Sequence, residues 1–354
     1  MRKLIIVGTR ATTGKGGIST ALSGYLNGLS AKNIDYEFVE SHWQGTPIFV
    51  SWFSAFISIF RLAIKHRGNA VFWFHLGPWL SMSRKFSLAI LPRLFGSDTI
   101  AHIHSPAMSS YLNGGFLVRL LTKLSLLPFN KIVVLTPWWQ SFLHERGITK
   151  PSFISANPIN QAYYQIASSY IDNPRTAKDK KDHIEILTMA RIAEGKNIDV
   201  VIEAVSRLPE NMRLTIAGDG PLLEKYRKLV RELGLDERIR FTGWIDGEKK
   251  EQLLRKSDIF CLPSTYDSFG MVFIEAMAFD IPVIAYGWGP INDVVTNDVG
   301  VCCQAPLTEN VVDAINTVVA QLALYTGKGP AKVIAQYSPE KITNKFVDFL
   351  ALDS

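Results

Sequence analysis

Ile259-Phe260-Cys261-Leu262 runs into Pro263-Ser264, and then into Asp267-Ser268-Phe269-Gly270-Met271-Val272-Phe273-Ile274-Glu275-Ala276-Met277-Ala278. Four apolar residues bounded by a proline have the length of a buried strand, and the apolar run from Phe269 reads as a helix with Ser268 as its N-cap. Strand, turn and helix in that order place a helix N-terminus at the carboxyl end of a parallel strand, where open α/β sheets bind ligands. The backbone N–H groups of Gly270, Met271 and Val272 lack an intrahelical acceptor there and point, with the helix dipole, at an anion such as phosphate. Glycine at 270 has no side chain to hold a ligand away. Asp267 and Glu275 bracket the turn with seven residues between them, both placed to accept hydrogen bonds from ligand hydroxyls.

Two more strand-to-helix turns in the same half agree. Met189-Ala190-Arg191 ends a strand and Gly195-Lys196-Asn197 opens the next helix, so Arg191 and Lys196 supply two positive charges at a ligand-binding edge. Such charge stabilises a departing diphosphate. No Asp-x-Asp motif for a divalent metal is present, and the two cations take its place. Ala217-Gly218-Asp219-Gly220-Pro221 is the third turn.

The alternation runs the length of the 354 residues. In the first half Lys3–Val7, Tyr36–Val39, Ala70–His75, Thr99–His104, Lys131–Leu135 and Ser152–Ser155 read as strands, with helices starting near Gly17, Val50, Lys85, Ser110 and Pro137. Asn160 to Asp182 is polar, ends in the charged run from Arg175, and reads as a linker. Strands resume at Ile184–Ala190, Arg213–Ala217, Ile239–Thr242, Ile259–Leu262, Pro282–Ala285 and Gly300–Cys303, with a long helix from Thr308 to Tyr325 and an amphipathic one from Pro339 to Leu350. The fold class is therefore α/β with two Rossmann-like, doubly wound domains. The first is residues 1–160 and the second is residues 161–337, followed by the tail 338–354.

Composition narrows the function classes. An apolar content of 47% with 20% charged residues fits packed cores. Three cysteines, two of them adjacent, offer no disulfide framework and suit a reducing compartment. The apolar stretch Pro47 to Phe60 is shorter than the ~20 residues that span a bilayer. Residues 1–150 carry 16 Lys and Arg against 5 Asp and Glu, a net +11, while 151–354 carry 22 against 27, a net −5. The first half thus faces something anionic. Val50 to Arg67 and Gly114 to Lys131 combine aromatic and aliphatic residues with Arg and Lys, which suits an anionic membrane surface. No recognition-helix or zinc-finger pattern supports nucleic acid. Gly14-Lys15-Gly16-Gly17 is not a Walker A loop, because Gly8 to Gly14 encloses five residues and Gly16 stands where Ser or Thr binds magnesium. His102 and His104 share one strand face, and zinc would need a third ligand that the pair lacks.

Arg191 with Lys196, then Ala217 to Pro221, then Phe241-Thr242-Gly243-Trp244, then Pro263-Ser264 and the Asp267-to-Glu275 box, closing on Ile281-Pro282-Val283-Ile284-Ala285, together resemble the family 4 glycosyltransferases, retaining enzymes of the GT-B fold. The likeness covers nearly the whole chain and is densest from 184 to 300. It implies two facing domains with a deep cleft and a C-terminal helix that crosses back to the first domain. The implied activity is retaining transfer of a hexose from a nucleoside diphosphate sugar, UDP- or GDP-linked, with no metal and no cofactor. The implied acceptor is a saccharide, undecaprenyl-diphosphate-linked, in bacterial lipopolysaccharide or other surface-polysaccharide assembly. The enzyme would be cytoplasmic and peripheral on the inner membrane face.

The resemblance also assigns roles. Arg191 and Lys196 take the diphosphate, and Ser268, Phe269, Gly270, Met271 and Val272 hold it at the helix start. Glu275 takes the ribose, Asp267 the donor sugar, and Thr242, Trp244 and Ile245 the base. Gly16, Gly17 and Gly218 line the donor phosphates, and His104 sits near the anomeric carbon. His75, Arg84 and Lys85 touch the acceptor. Asp267 departs from the family's glutamate, as does Asp293 further on, and Asp280 stands where glycine is common. These departures motivate two alternatives: a nucleotide-sugar-binding protein with weak turnover, and a GT-B hydrolase or epimerase.

Overall fold

The computed structural model describes residues 2–9, 17–42, 45–175 and 183–352, with the backbone alone for 17–19. The chain forms two units, Met1–Asn160 with Ser338–Ser354, and Gln161–Tyr337.

In the first unit β1 (Lys3–Thr9), β2 (Tyr36–His42), β3 (Ala70–Leu76), β4 (Asp98–Ile103), β5 (Lys131–Val134) and β6 (Ser152–Ile154) form one sheet in the order β2-β1-β3-β4-β5-β6. Every pair is parallel. The connections are α1 (Gly17–Ala31), α2 (Ile48–His66), α3 (Trp79–Leu94), α4 (Ala107–Asn113), α5 (Phe116–Ser125) and α6 (Pro137–Glu145). β3 reads Ala-Val-Phe-Trp-Phe-His-Leu and is buried along its whole length, as a strand covered on both faces must be. The step from β1 to β2 runs one way along the sheet and the later steps run the other. Right-handed crossovers therefore put α1 on one face and α2, α3 and α5 on the opposite one.

In the second unit β7 (Ile184–Met189), β8 (Met212–Ala217), β9 (Ile239–Gly243), β10 (Ile259–Leu262), β11 (Val283–Tyr286) and β12 (Gly300–Cys303) pair in the order β12-β11-β10-β7-β8-β9. The helices are α7 (Gln161–Asp172), α8 (Ile198–Ser206), α9 (Leu223–Glu232), α10 (Gly247–Lys256), α11 (Met271–Ala278), α12 (Ile291–Val294), α13 (Thr308–Ala320), α14 (Leu322–Tyr325) and α15 (Lys328–Gln336). The chain walks from β7 to β9, then returns to lay β10 on the other side of β7, so a topological switch point lies between β7 and β10. Last, α16 (Pro339–Leu350) lies in the first unit, where Phe346 and Leu350 pack with Leu22, Tyr25 and Leu29 of α1 over Trp73.

Two local expectations need correction. The stretch after Asn160 is not all linker: α7 buries Tyr163 and Ala167, because its few apolar residues share one helix face. The charged run beyond Arg175, residues 176–182, lies outside the described residues. α3 begins at Trp79 rather than near Lys85, which puts Lys85 inside the helix and buries it.

Candidate functional site

At the switch point of the second unit, three turns are knitted together by hydrogen bonds among themselves. The turn after β7 and the turn after β10 meet where Thr265 N donates to Gly195 O at 2.8 Å and Asn197 Nδ2 donates to Pro263 O at 2.8 Å. The turn after β8 joins them: Ile192 N donates to Asp219 O at 2.9 Å and Gly218 N to Gly243 O at 2.9 Å. Gly218 sits at φ +152, and a Cβ there would lie 1.8 Å from Ala190 O, so only glycine fits. These bonds place Arg191, Lys196 and Asp267 at the carboxyl ends of adjacent strands β7 and β10.

Lys196 Nζ donates to both carboxylate oxygens of Asp267 at 2.8 Å and to Tyr266 O at 3.2 Å. A bidentate, partly desolvated pair of this kind holds both groups in one place. Arg191 is exposed and makes no ion pair with a described residue. The helix after β10 starts two residues later than its sequence suggests. Gly270 at φ +76 is the N-cap of α11, not Ser268, and no side chain caps the helix. Phe269 lies outside the helix and packs edge-on against Tyr337. The first N–H groups of α11, those of Met271 and Val272, have no intrahelical acceptor. Ser268 is half-buried at this turn, while Thr242 and Trp244 are exposed and Ile245 half-buried just after β9.

One turn into α11, Glu275 is 4% exposed and its Oε2 stands 2.7 Å from Lys250 Nζ of α10. Lys250 also lies over the ring of Tyr163. Burial, then the Glu275 carboxylate, push the Tyr163 hydroxyl well above its ordinary range. Lys250 and Tyr163 carry no motif of their own, which is why sequence reading passes over them. Asp280, where glycine was expected, sits at φ +56 and accepts Gly327 N at 2.8 Å. It tolerates a left-handed backbone as Asp sometimes does and ties α11 to α15, so it is a structural residue.

A cavity of about 550 Å³ opens at the opposite, amino ends of β7, β8 and β9, beside Glu185, Arg213, Arg238 and Arg240. Arg238 donates to the Leu208, Pro209 and Met212 carbonyls, and Arg240 to Thr215 Oγ1 and Glu185. Both arginines are thus engaged within the unit itself.

The first unit gathers a second cluster at the carboxyl ends of β3 and β4. His75 pairs in register with His102, and His75 Nδ1 lies 2.9 Å from His104 Nε2. Ring nitrogens of His75, His102 and His104 all fall within 4.8 Å of one another, so the third imidazole that spacing alone did not supply comes from β3. All three are buried. Burial, then the positive charge of Lys85, hold His104 down at about 3; His75 and His102 are likewise well below their ordinary value. These imidazoles are neutral at working pH. Lys85 is also buried, donates to His75 O and to Ser81 Oγ at 2.8 Å, and is lowered to about 7 by burial and then by Arg84. Arg84 Nε and Nη1 are buried without a hydrogen-bond partner among the described residues. Cations without a carboxylate favour an anion over a metal ion here. Gly16 lies outside the described residues, and Gly17 begins α1.

Comparison with known proteins follows the same line. Residues 171–325 match the family described as Glycosyl transferases group 1. Lipopolysaccharide core biosynthesis glycosyltransferase LpsE of Rhizobium meliloti is 31% identical over 170 residues, 47% of this chain and 49% of that protein. The chain thus spans about half or less of the curated relatives it matches. Sucrose-phosphate synthase from Thermosynechococcus elongatus shares the fold at a TM-score of 0.79 and 18% identity, over 99% of this chain and 98% of that one. HepE of Anabaena, solved with UDP and glucose, shares it at 0.73 and 15% over 99% and 100%. The fold is that of the GT-B glycosyltransferase structures.

Proposed function

We propose, from the premise that this chain carries a Glycosyl transferases group 1 domain, that it moves a sugar from a nucleoside diphosphate sugar to a hydroxyl of a saccharide acceptor with retention at the anomeric carbon. The observation that carries this reading is the convergence of Lys196, Asp267, the α11 start and Glu275 at one switch point. Oxygens of the leaving diphosphate take the free N–H groups of Met271 and Val272 and the charges of Arg191 and Lys196. Glu275, held by Lys250, accepts from the ribose hydroxyls, and Asp267 accepts from the sugar. The acceptor oxygen bonds to the anomeric carbon on the face that the phosphate leaves, and its proton passes to the departing phosphate oxygen. No protein nucleophile is needed, and two fixed cations with two amides stabilise the leaving group without a metal. UDP is the first base to test, since HepE is a structural neighbour solved with it.

The first unit takes the acceptor. Arg84 and Lys85 form its anion site, and a diphosphate between lipid and saccharide matches their charge. The pH dependence has a definite sign. Lys85 is lowered to about 7 from an ordinary 10.5, so above about pH 7 the folded chain loses that proton while the unfolded chain keeps it. Lys85 thus costs stability below about pH 7, and the cost fades as pH rises to 10.5. An anion that binds the charged amine loses affinity over the same rise, about tenfold per pH unit at first. Titrating a diphosphate diester between pH 6 and 9 should show this slope in the wild type and a weak, flat response in Lys85→Met.

The test of the reaction is incubation with UDP- and GDP-sugars, with and without EDTA, and an NMR assignment of the new anomeric centre. A product of retained configuration, formed in EDTA, supports the proposal; free sugar or an epimer with no acceptor product supports a hydrolase or epimerase instead. The Lys196–Asp267 pair favours one further reading, a nucleotide-sugar-binding protein of weak turnover. Asp267→Glu with restored turnover would support it.

A further inference from the structure

One face of the first unit, formed by α2, α3 and α5, is apolar, basic and open. α2 packs through a single stripe, Ser51, Ala55, Ile59, Leu62 and Ala63, and leaves Ile48, Phe49, Val50, Phe53, Phe60 and Ile64 exposed, Phe49 by 71%. α5 buries only Thr122 and exposes Phe116, Leu117, Leu120, Leu121 and Leu124. Between them α3 contacts both helices and exposes Ile90 and Leu94. Phe95, just past α3, meets Phe60 of α2 edge-on. The three helices contain seven Arg and Lys and no Asp or Glu. Isolated exposed leucines need no explanation, but a contiguous apolar face on adjacent helices marks a binding surface.

We propose that this face docks in the plane of a bilayer that carries anionic lipid. Charge selects that occupant. A second copy would set the exposed Arg61, Arg93 and Arg119 of this face against the same cations, whereas anionic headgroups neutralise them while the acyl boundary takes the rings and leucines. Nucleic acid would neutralise the charge and leave the apolar residues in water. α2 is 19 residues long with a mean hydropathy of 1.6 and 28% of it buried, long and apolar enough to cross a membrane by length and composition. Its buried stripe nevertheless holds it against β2 and α3, so it lies on the surface. The inference rests on the first unit alone and is independent of the donor site.

The experiment is co-sedimentation of the full chain with phosphatidylcholine vesicles, with and without phosphatidylglycerol, across a salt series. Three variant sets are compared: Phe49→Ser with Phe53→Ser, Leu117→Ser with Leu121→Ser, and Arg61→Gln with Lys65→Gln and Arg119→Gln. Leu233→Ser, an exposed leucine in the second unit, is the control. Thermal melts confirm that each variant is folded. The expected result is partition to anionic vesicles that weakens with salt, drops by about tenfold or more in each apolar pair, drops in the charge set, and is unchanged in the control. Absent partition, equal partition to both vesicle types, or folded apolar variants that bind like wild type would overturn the proposal. So would ultracentrifugation without lipid that shows a dimer broken by these same variants, because the face would then belong to a second copy.

Discussion

Lys196→Ala should lower kcat by about 10²- to 10³-fold and raise KM for the donor far less. Its ammonium sits 2.8 Å from both oxygens of Asp267, at the carboxyl end of β7, where charge develops on a leaving diphosphate. A donor aimed at such developing charge contributes about 3–4 kcal/mol to the transition state and less to the ground state. Removing it also strips Asp267 of its partner, so a carboxylate then faces the diphosphate and adds repulsion. The side chains are only 16% and 19% exposed, so leaving Asp267 unpaired should also cost stability by about 1–3 kcal/mol, short of unfolding the unit. Steady-state kinetics and a thermal melt on the same preparation separate the two effects. A variant that loses its fold, or one that keeps wild-type kcat, contradicts the assignment. Lys196→Ala with Asp267→Asn should recover part of the loss, since the repulsive charge is gone.

Gly218→Ala should produce the largest loss of stability. At φ +152 an alanine is strained before any contact is considered, and its Cβ would lie 1.8 Å from Ala190 O. That oxygen is backbone and cannot swing aside like a side chain. Backbone strain and overpacking each cost about 1–3 kcal/mol, so a sum on the order of 4 kcal/mol is expected. For a unit of this size that is a fall in Tm of about 10 °C. The displaced Ala190 carries Arg191 with it, so residual folded protein should also turn over slowly. Gly234→Ala is the control: its φ is also positive, at +66, but its Cβ would meet nothing within 4 Å. If both variants melt alike, the close approach at Gly218 is not what constrains the turn.

The strands were legible because they are short and mostly apolar, the central ones such as β3 being buried on both faces, and all twelve stand where the alternation put them. Helix starts were less so. Ser268 looks like a cap because it is a small polar residue before an apolar run. Phe269 extends that run without belonging to the helix, since its ring packs against Tyr337, remote in sequence. Gly270, read as room for a ligand, is also the backbone turn that starts α11. α7 was hidden because only Tyr163 and Ala167 of its twelve residues are buried. The charge pairs were out of reach for another reason. Lys250 meets Glu275, and His75 meets His104, only after strands and helices have been placed side by side, and no spacing rule announces either pair. Asp280 departs from glycine yet keeps its left-handed backbone, something a sequence shows only as an unexplained substitution.

The most direct test of the central claim, that the second unit holds a nucleoside diphosphate sugar on α11 and Glu275, is a thermal-shift titration with UDP, GDP, ADP and their sugar conjugates on wild type and Glu275→Ala side by side. A ligand that binds only the folded chain must raise Tm. The account predicts a rise with one base, undiminished in EDTA and largely lost in Glu275→Ala. No rise with any nucleotide, or an equal rise in the variant, would contradict it.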